Sequence, residues 1–401
     1  MKKSAKLSLA MALMVGATTG LYTIAPPQEA SAEISDKFRL EVNGIISHVS
    51  DNSNLGGFAP ENVYDKKSEH YWSNYTRLQL QYHESKNIKY QFRLHSGYES
   101  YSTNKGSASD AYFDQSFIEI KDPKAKMVYT IGKKGAYLGQ GLIHNSTGNL
   151  TGAQVSFGNW YDPTCLQLIA GSKKNGSHFF AANFTHQVTK PWQLSLTYIH
   201  HDVRNDNYYE LNTSRTGNAE LYDGTKVYYN NNKVDKYHKL HLLSIGSQVK
   251  VKPFTVQGEY IRNMTGDVEK GKVFKNGNYV NYYKGGQADS SSRKAWYVEV
   301  FTGPTSDMTS GLPLQKPGTN VWSLKYQDVG ANAVDDHNNT FYNDAKGWRL
   351  NYGHTFRKGL AGDIAIARMK DKGGDEKADF YNKTNGAWKT LVVATLSYKF
   401  R

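Results

Sequence analysis

Read from one end to the other, the chain alternates. Phe38, Leu40, Val42 and Ile46 are separated by Arg39, Glu41 and Asn43, a period of two that puts apolar groups on one face of an extended strand and polar groups on the other. Leu78, Leu80 and Tyr82 alternate with Arg77, Gln79 and Gln81; after a short connection Tyr90, Phe92 and Leu94 alternate with Lys89, Gln91, Arg93 and His95. The pattern returns at 192–198, 254–260, 322–326, 348–356 and 360–366. It closes on LVVATLSYKFR, where Val392, Ala394, Leu396, Tyr398 and Phe400 form one unbroken stripe. Aromatic residues gather at strand ends rather than centres, as girdles at two membrane interfaces would.

The connections differ in length as well. Short ones fall at 83–88, 121–126, 187–191, 250–253 and 357–359, and long polar ones at 50–71, 134–150, 201–236, 263–293, 329–346 and 370–387. A soluble sandwich alternates without needing aromatic ends or unequal connections, and a solenoid would show a fixed repeat, of which there is none. A sheet in lipid must close on itself so that no edge amide is left unpaired. The pattern therefore predicts an all-β fold: a transmembrane antiparallel β-barrel of about 16 strands, with short periplasmic turns, long extracellular loops and both termini on the short-turn side. The connection 303–318 sits on the short-turn side yet is long, which leaves the count open by two.

The amino terminus sets the compartment. Lys2, Lys3 and Lys6 precede an apolar run that ends before Pro26-Pro27 and Ala30-Ser31-Ala32, the layout of a secretory signal peptide cleaved after Ala32. The barrel domain is then 33–401, bound for the cell outer membrane. A single cysteine, Cys165, excludes an intramolecular disulfide. The formal net charge of +13 suits an anionic surface or anionic solutes, while export argues against nucleic acid.

If the apolar stripes face lipid, the intervening residues line the lumen. Arg39, Arg77, Lys89, Arg93, Lys325, Arg349, Lys389 and Lys399 would form a basic wall against few acids such as Glu41 and Glu259, favouring anions. The alternative is a lumen whose charges are balanced and screened by salt. Asp335-Asp336-His337 and His200-His201-Asp202 bring acid and imidazole together, but no nucleophile stands in a recognisable arrangement. No enzyme, cofactor or metal site is expected.

The closing ATLSYKF resembles the C-terminal assembly signal of Gram-negative outer-membrane porins. FIEIKDPKAKMVYTIGKKGAYLGQGLI (117–143) and KPGTNVWSLKYQDVGANA (316–333) look like the matching regions of porins from diderm Firmicutes (Negativicutes). The pattern covers nearly all of 33–401; it departs in ending on Arg401 rather than on the aromatic. The resemblance implies a water-filled channel for passive diffusion of small hydrophilic solutes, embedded in outer-membrane lipid and able to form a homotrimer. It also implies insertion by the barrel-assembly machinery through Leu396, Tyr398 and Phe400. In such barrels the third long loop folds inward, so 134–150 is implied as a constriction. Glycines at 135, 139 and 141 permit its bends, and Lys133, Lys134, Tyr137, Gln140 and His144 are its candidate pore residues. The competing reading is a surface adhesin or structural barrel without an open channel.

Overall fold

The computed structural model describes residues 37–51, 69–97, 111–146, 148, 150–158, 162–173, 177–205, 217–221, 226–229, 236–264, 270–275, 278–283, 293–330, 333–335, 345–371 and 388–400. The expected signal peptide lies outside them.

Sixteen strands form one ring. In chain order they are β1 (Phe38–Asp51), β2 (Glu69–His83), β3 (Ile88–Gly97), β4 (Tyr112–Asp122), β5 (Met127–Lys134), β6 (Leu150–Phe157), β7 (Thr164–Ser172) and β8 (His178–Thr189). The second half comprises β9 (Trp192–Asn205), β10 (Lys236–Val251), β11 (Phe254–Asn263), β12 (Lys294–Thr302), β13 (Asn320–Val329), β14 (Ala345–Arg357), β15 (Leu360–Asp371) and β16 (Trp388–Phe400). Each pairs antiparallel with its chain neighbours, and β16 returns to β1 with Phe400 opposite Val42 and Leu396 opposite Ile46. The closing stripe of the sequence is thus the seam of the barrel.

The two faces differ as the period of two requires. Ile245, Leu324 and Trp322 point outward and are 57%, 53% and 51% exposed, a belt that water would penalise and lipid covers. Inward positions are polar and joined across strands: Gln91 donates to Gln79 and to Gln115 and accepts from Gln81, and Ser47 donates to Thr395 across the seam. Such pairs satisfy polar groups that the narrow lumen hydrates only in part.

Connections depart from the simple rule of sides. The long side also carries 98–111 and the brief 173–177, both beyond the six long connections read from the sequence. On the short side, 303–319 does not add strands. It carries a 3-10 turn at Leu312–Leu314 and folds back into the barrel mouth, where Met308 and Leu312 pack with Val321 and Ala361. Thr355 donates to the Leu312 carbonyl at 2.9 Å. Gly353 leaves room for this packing, because a Cβ there would lie 2.5 Å from Leu312 Cδ2 and 2.8 Å from Met308 Sδ. On the opposite side, 217–221, 226–229, 270–275 and 278–283 make a four-stranded sheet beyond the ring.

Candidate functional site: the lumen and its inward loop

The connection from β5 to β6 enters the lumen. Tyr137–Leu138 pairs with His144–Asn145 in a short ladder, and the bend between them needs Gly139 and Gly141 at φ +60° and +87°, the left-handed region that a side chain disfavours. The underside of the bend is apolar: Leu138, Leu142 and Ile143 are buried against Ile199, Leu242 and Ile261. These wall residues break the polar character of the inner face at the long-loop ends of β9, β10 and β11. Apolar pairs on both faces, Tyr198-Ile199, Leu242-Leu243 and Tyr260-Ile261, mark this docking patch in the sequence, where strict alternation breaks.

Polar anchors complete the attachment. Glu259 accepts hydrogen bonds from the backbone amides of Gln140 and Leu142 at 3.2 and 2.8 Å and from Ser244 at 2.5 Å. Asn183 accepts from the Gly139 amide at 3.1 Å and from Thr197 at 2.7 Å. Tyr297 donates to the Gln140 carbonyl at 2.7 Å. Gly139 has no space for a side chain, since a Cβ would collide with the Glu259 carboxylate.

A second anchor sits at the long-loop rim. Asp335 receives Lys173 Nζ at 2.5 Å, His144 Nδ1 at 2.8 Å and His201 Nδ1 at 2.7 Å, and its backbone amide donates to the Ile143 carbonyl. Burial works against its charge, yet Lys173 and the two imidazole hydrogen bonds outweigh that and hold the carboxyl well below the usual carboxylate range. His201 Nε2 lies 3.1 Å from Ser177 Oγ, so serine, imidazole and carboxylate do stand in line, an arrangement the sequence did not suggest. Ser177 is only 3% exposed and Asp335 is shared among three nitrogen groups, so this geometry serves to join His144, Lys173, Ser177 and His201 around residue 335.

The inner wall on either side of the docked loop carries the expected cations, and there the structure corrects the expectation of few acids. Arg93 reaches Asp114 at 2.6 Å with Arg77 at 3.3 Å from the same carboxylate. Lys89 and Lys134 flank Glu119 at 3.1 and 3.5 Å, Lys325 meets Glu299 at 3.4 Å, and Lys399 meets Glu41 at 3.1 Å. Asp114 went unnoticed because it occupies the irregular step where Arg93 faces Gln115 but Leu94 faces Phe113. Arg349 donates to Asn351 at 2.7 Å, and Arg39 is exposed near the periplasmic end. Lys389 faces Met369 in the backbone register; its side chain lies outside the described residues.

The five residues expected of the loop separate. Tyr137 and Gln140 line a cleft of ≈ 370 Å³ with Gln193 and Gln248. Lys134 is directed to the wall by Glu119. Lys133 follows Tyr129 and Ile131 on the outward row, and its Nζ donates to the Phe113 carbonyl at 2.8 Å, so it does not point into the pore. His144 is fully buried at 0% exposure, committed to Asp335 rather than to the channel.

The fold is thus a closed barrel of 16 antiparallel strands with a segment folded into its lumen. Solved structures show the same fold. OprB of Pseudomonas putida matches with a TM-score of 0.53 at 10% identity, over 92% of this chain and 95% of its own. OmpF of Salmonella typhi, in a complex with daunomycin, matches with a TM-score of 0.52 at 11% identity, over 90% and 97%. Neither likeness bears on the narrower resemblance to porins of diderm Firmicutes. No protein-family model and no curated protein matches the chain.

Proposed function

We propose that the chain is a passive outer-membrane channel for small hydrophilic solutes and ions, with 135–149 as its constriction. The observation that carries this reading is the inward loop pinned to Glu259, Asn183, Tyr297 and Asp335. A barrel serving only as a scaffold has no need to hold polypeptide in its lumen. The uncharged Tyr137, Gln140, Gln193 and Gln248 at the loop suit polar neutral solutes, which exchange water for amide and phenol contacts. Because most wall cations face carboxylates, anion preference is weak: neighbouring opposite charges cancel within a Debye length of ~8 Å at physiological salt.

The channel acts as a homotrimer in outer-membrane lipid and is inserted by the barrel-assembly machinery through Leu396, Tyr398 and Phe400. It performs no catalysis. The test is reconstitution in planar bilayers. Stepwise conductance with a small reversal potential of anionic sign in a KCl gradient is the expected result; a protein that inserts but gives no conducting steps would favour the adhesin reading.

A further inference from the structure

The outer face of β9 and β10 carries two imidazoles side by side near the long-loop ends. His200 stands directly opposite His241 in the backbone register, and the two side chains meet: their Nδ1 atoms are 3.4 Å apart and their ring centroids 4.5 Å, with the ring planes at 59°. The Tyr198 hydroxyl lies 3.1 Å from the same His241 nitrogen. All three residues occupy the outward row, in phase with the lipid-facing Leu196, Leu243 and Ile245.

The separation of the two nitrogens distinguishes what the pair can hold. A hydrogen bond from one ring nitrogen to another is best at about 3 Å, so at 3.4 Å it is weak. Two nitrogens bound to one tetrahedral ion, each ~2.05 Å from it, stand ~3.3–3.4 Å apart, whereas the right angle of a square-planar site brings them to ~2.8–2.9 Å. The observed spacing is therefore the bite of a tetrahedral ion, the geometry of zinc rather than of Cu2+ or Ni2+. The ladder supplies it in advance, because directly opposite residues hold their Cβ atoms about 5 Å apart.

The surroundings leave the pair open to an ion from solution. Exposed tyrosine settles at the headgroup level of a bilayer, and the imidazoles lie one outward position beyond Tyr198 toward the long loops, within reach of water. Among the described residues no third histidine, cysteine or carboxylate joins them, so two positions of a tetrahedral ion fall to water, with the Tyr198 hydroxyl placed to hydrogen-bond one of these. The row beyond pairs Asp202 with Lys239 in the backbone register, and the row below sets Arg262 against Leu243. Neither adds net negative charge, so the hold on the ion comes from the imidazoles. On the inner face of the same strands Ile199 and Leu242 seat the inward loop, and His201 bonds Asp335. We propose that His200 and His241 form an exchangeable Zn2+ site on the outer face, a clip that joins β9 to β10 behind the wall on which the loop is seated.

The test uses the full chain without an affinity tag, refolded in detergent and dialysed against micromolar Zn2+ with millimolar Mg2+ present to fill oxygen sites. The wild type is expected to hold one Zn2+ more than the double variant His200→Gln/His241→Gln, and its thermal midpoint to rise with Zn2+. Each single variant should weaken uptake by at least the ~10–100-fold that loss of an outer-shell partner costs a metal site, and the double variant should be little worse than either. His186→Gln removes an outward imidazole of β8 that faces Leu194 and Thr164 rather than another histidine, and should bind like the wild type. Co2+ in place of Zn2+ should give the visible absorption of a tetrahedral ion in the wild type, a readout that needs no variant to fold. Absence of that absorption overturns the proposal, as does Zn2+ uptake by the wild type equal to that of the double variant or an equal loss in His186→Gln. Uptake of Cu2+ without Zn2+ overturns the choice of ion.

Discussion

Removing the Glu259 carboxylate should loosen the proposed constriction without disturbing the barrel. Glu259 accepts from two loop amides and from Ser244, and leaving each of those buried donors unsatisfied costs ~1–3 kcal/mol. Only the two loop bonds hold the tip directly, and lumen water satisfies part of what they leave. A net loss of about 3 kcal/mol is reasonable, equivalent to about a hundred-fold rise in the undocked population of the tip. Asn183, Tyr297 and Asp335 still hold the flanks, so the tip fluctuates rather than leaving the lumen. In single-channel recordings Glu259→Ala should show greater open-channel noise, a larger mean conductance and passage of larger uncharged polymers. Glu259→Gln, which keeps the shape and one acceptor oxygen, should fall between. If Glu259→Ala inserts normally and its conductance, noise and size cut-off equal those of the wild type, these bonds do not set the aperture and the reasoning fails.

Asp335 supplies a pH-dependent contribution. Its carboxyl titrates lower in the folded protein than in the unfolded chain; the stability it adds is therefore fully present above the unfolded value of about 4 and is lost as the pH falls toward the folded one. Asp335→Asn should lower stability at neutral pH by ~3–5 kcal/mol, because it removes the buried carboxylate that Lys173 and two imidazoles share, and should flatten thermal stability between pH 5 and the acid limit; thermal scans in detergent measure both. Gly353→Val should displace Met308 and Leu312 from the periplasmic mouth and cost ~1–3 kcal/mol through overpacking, read as a lower thermal midpoint with 303–319 more readily cut by protease. Phe400→Ala should impair membrane insertion far more than deletion of Arg401, judged by the heat-modifiable mobility of the folded barrel.

The ring was legible because lipid on one side and water on the other impose a period of two on every strand, so Phe38 to Ile46 and Val392 to Phe400 announce their facing sides without reference to each other. Their pairing as a seam follows from closure alone. The turn at 303–319 was visible as an anomaly, but its inward fold depends on the absence of a Cβ at Gly353, forty residues on. The interior was less accessible. Sequence placed Lys89 and Arg93 on the inner wall, yet charge in a channel is a property of neighbours, and Glu119 and Asp114 arrive from another strand. Lys133 and Lys134 are adjacent in sequence but belong to opposite faces, which alternation implies and a list of loop cations hides. His144 appeared to be a pore residue because its partner, Asp335, is 191 positions away.

That separation has a consequence for how the finished aperture comes about. The loop is encoded early, whereas the groups that grip it lie on β8, β11 and β12 and at position 335. Only a run of strands reaching from β5 past β13 contains the loop and all four anchors. The width of the passage is therefore set late, once more than half of the ring is in place. A barrel arrested before position 335 joins it would be a leakier object than the completed one.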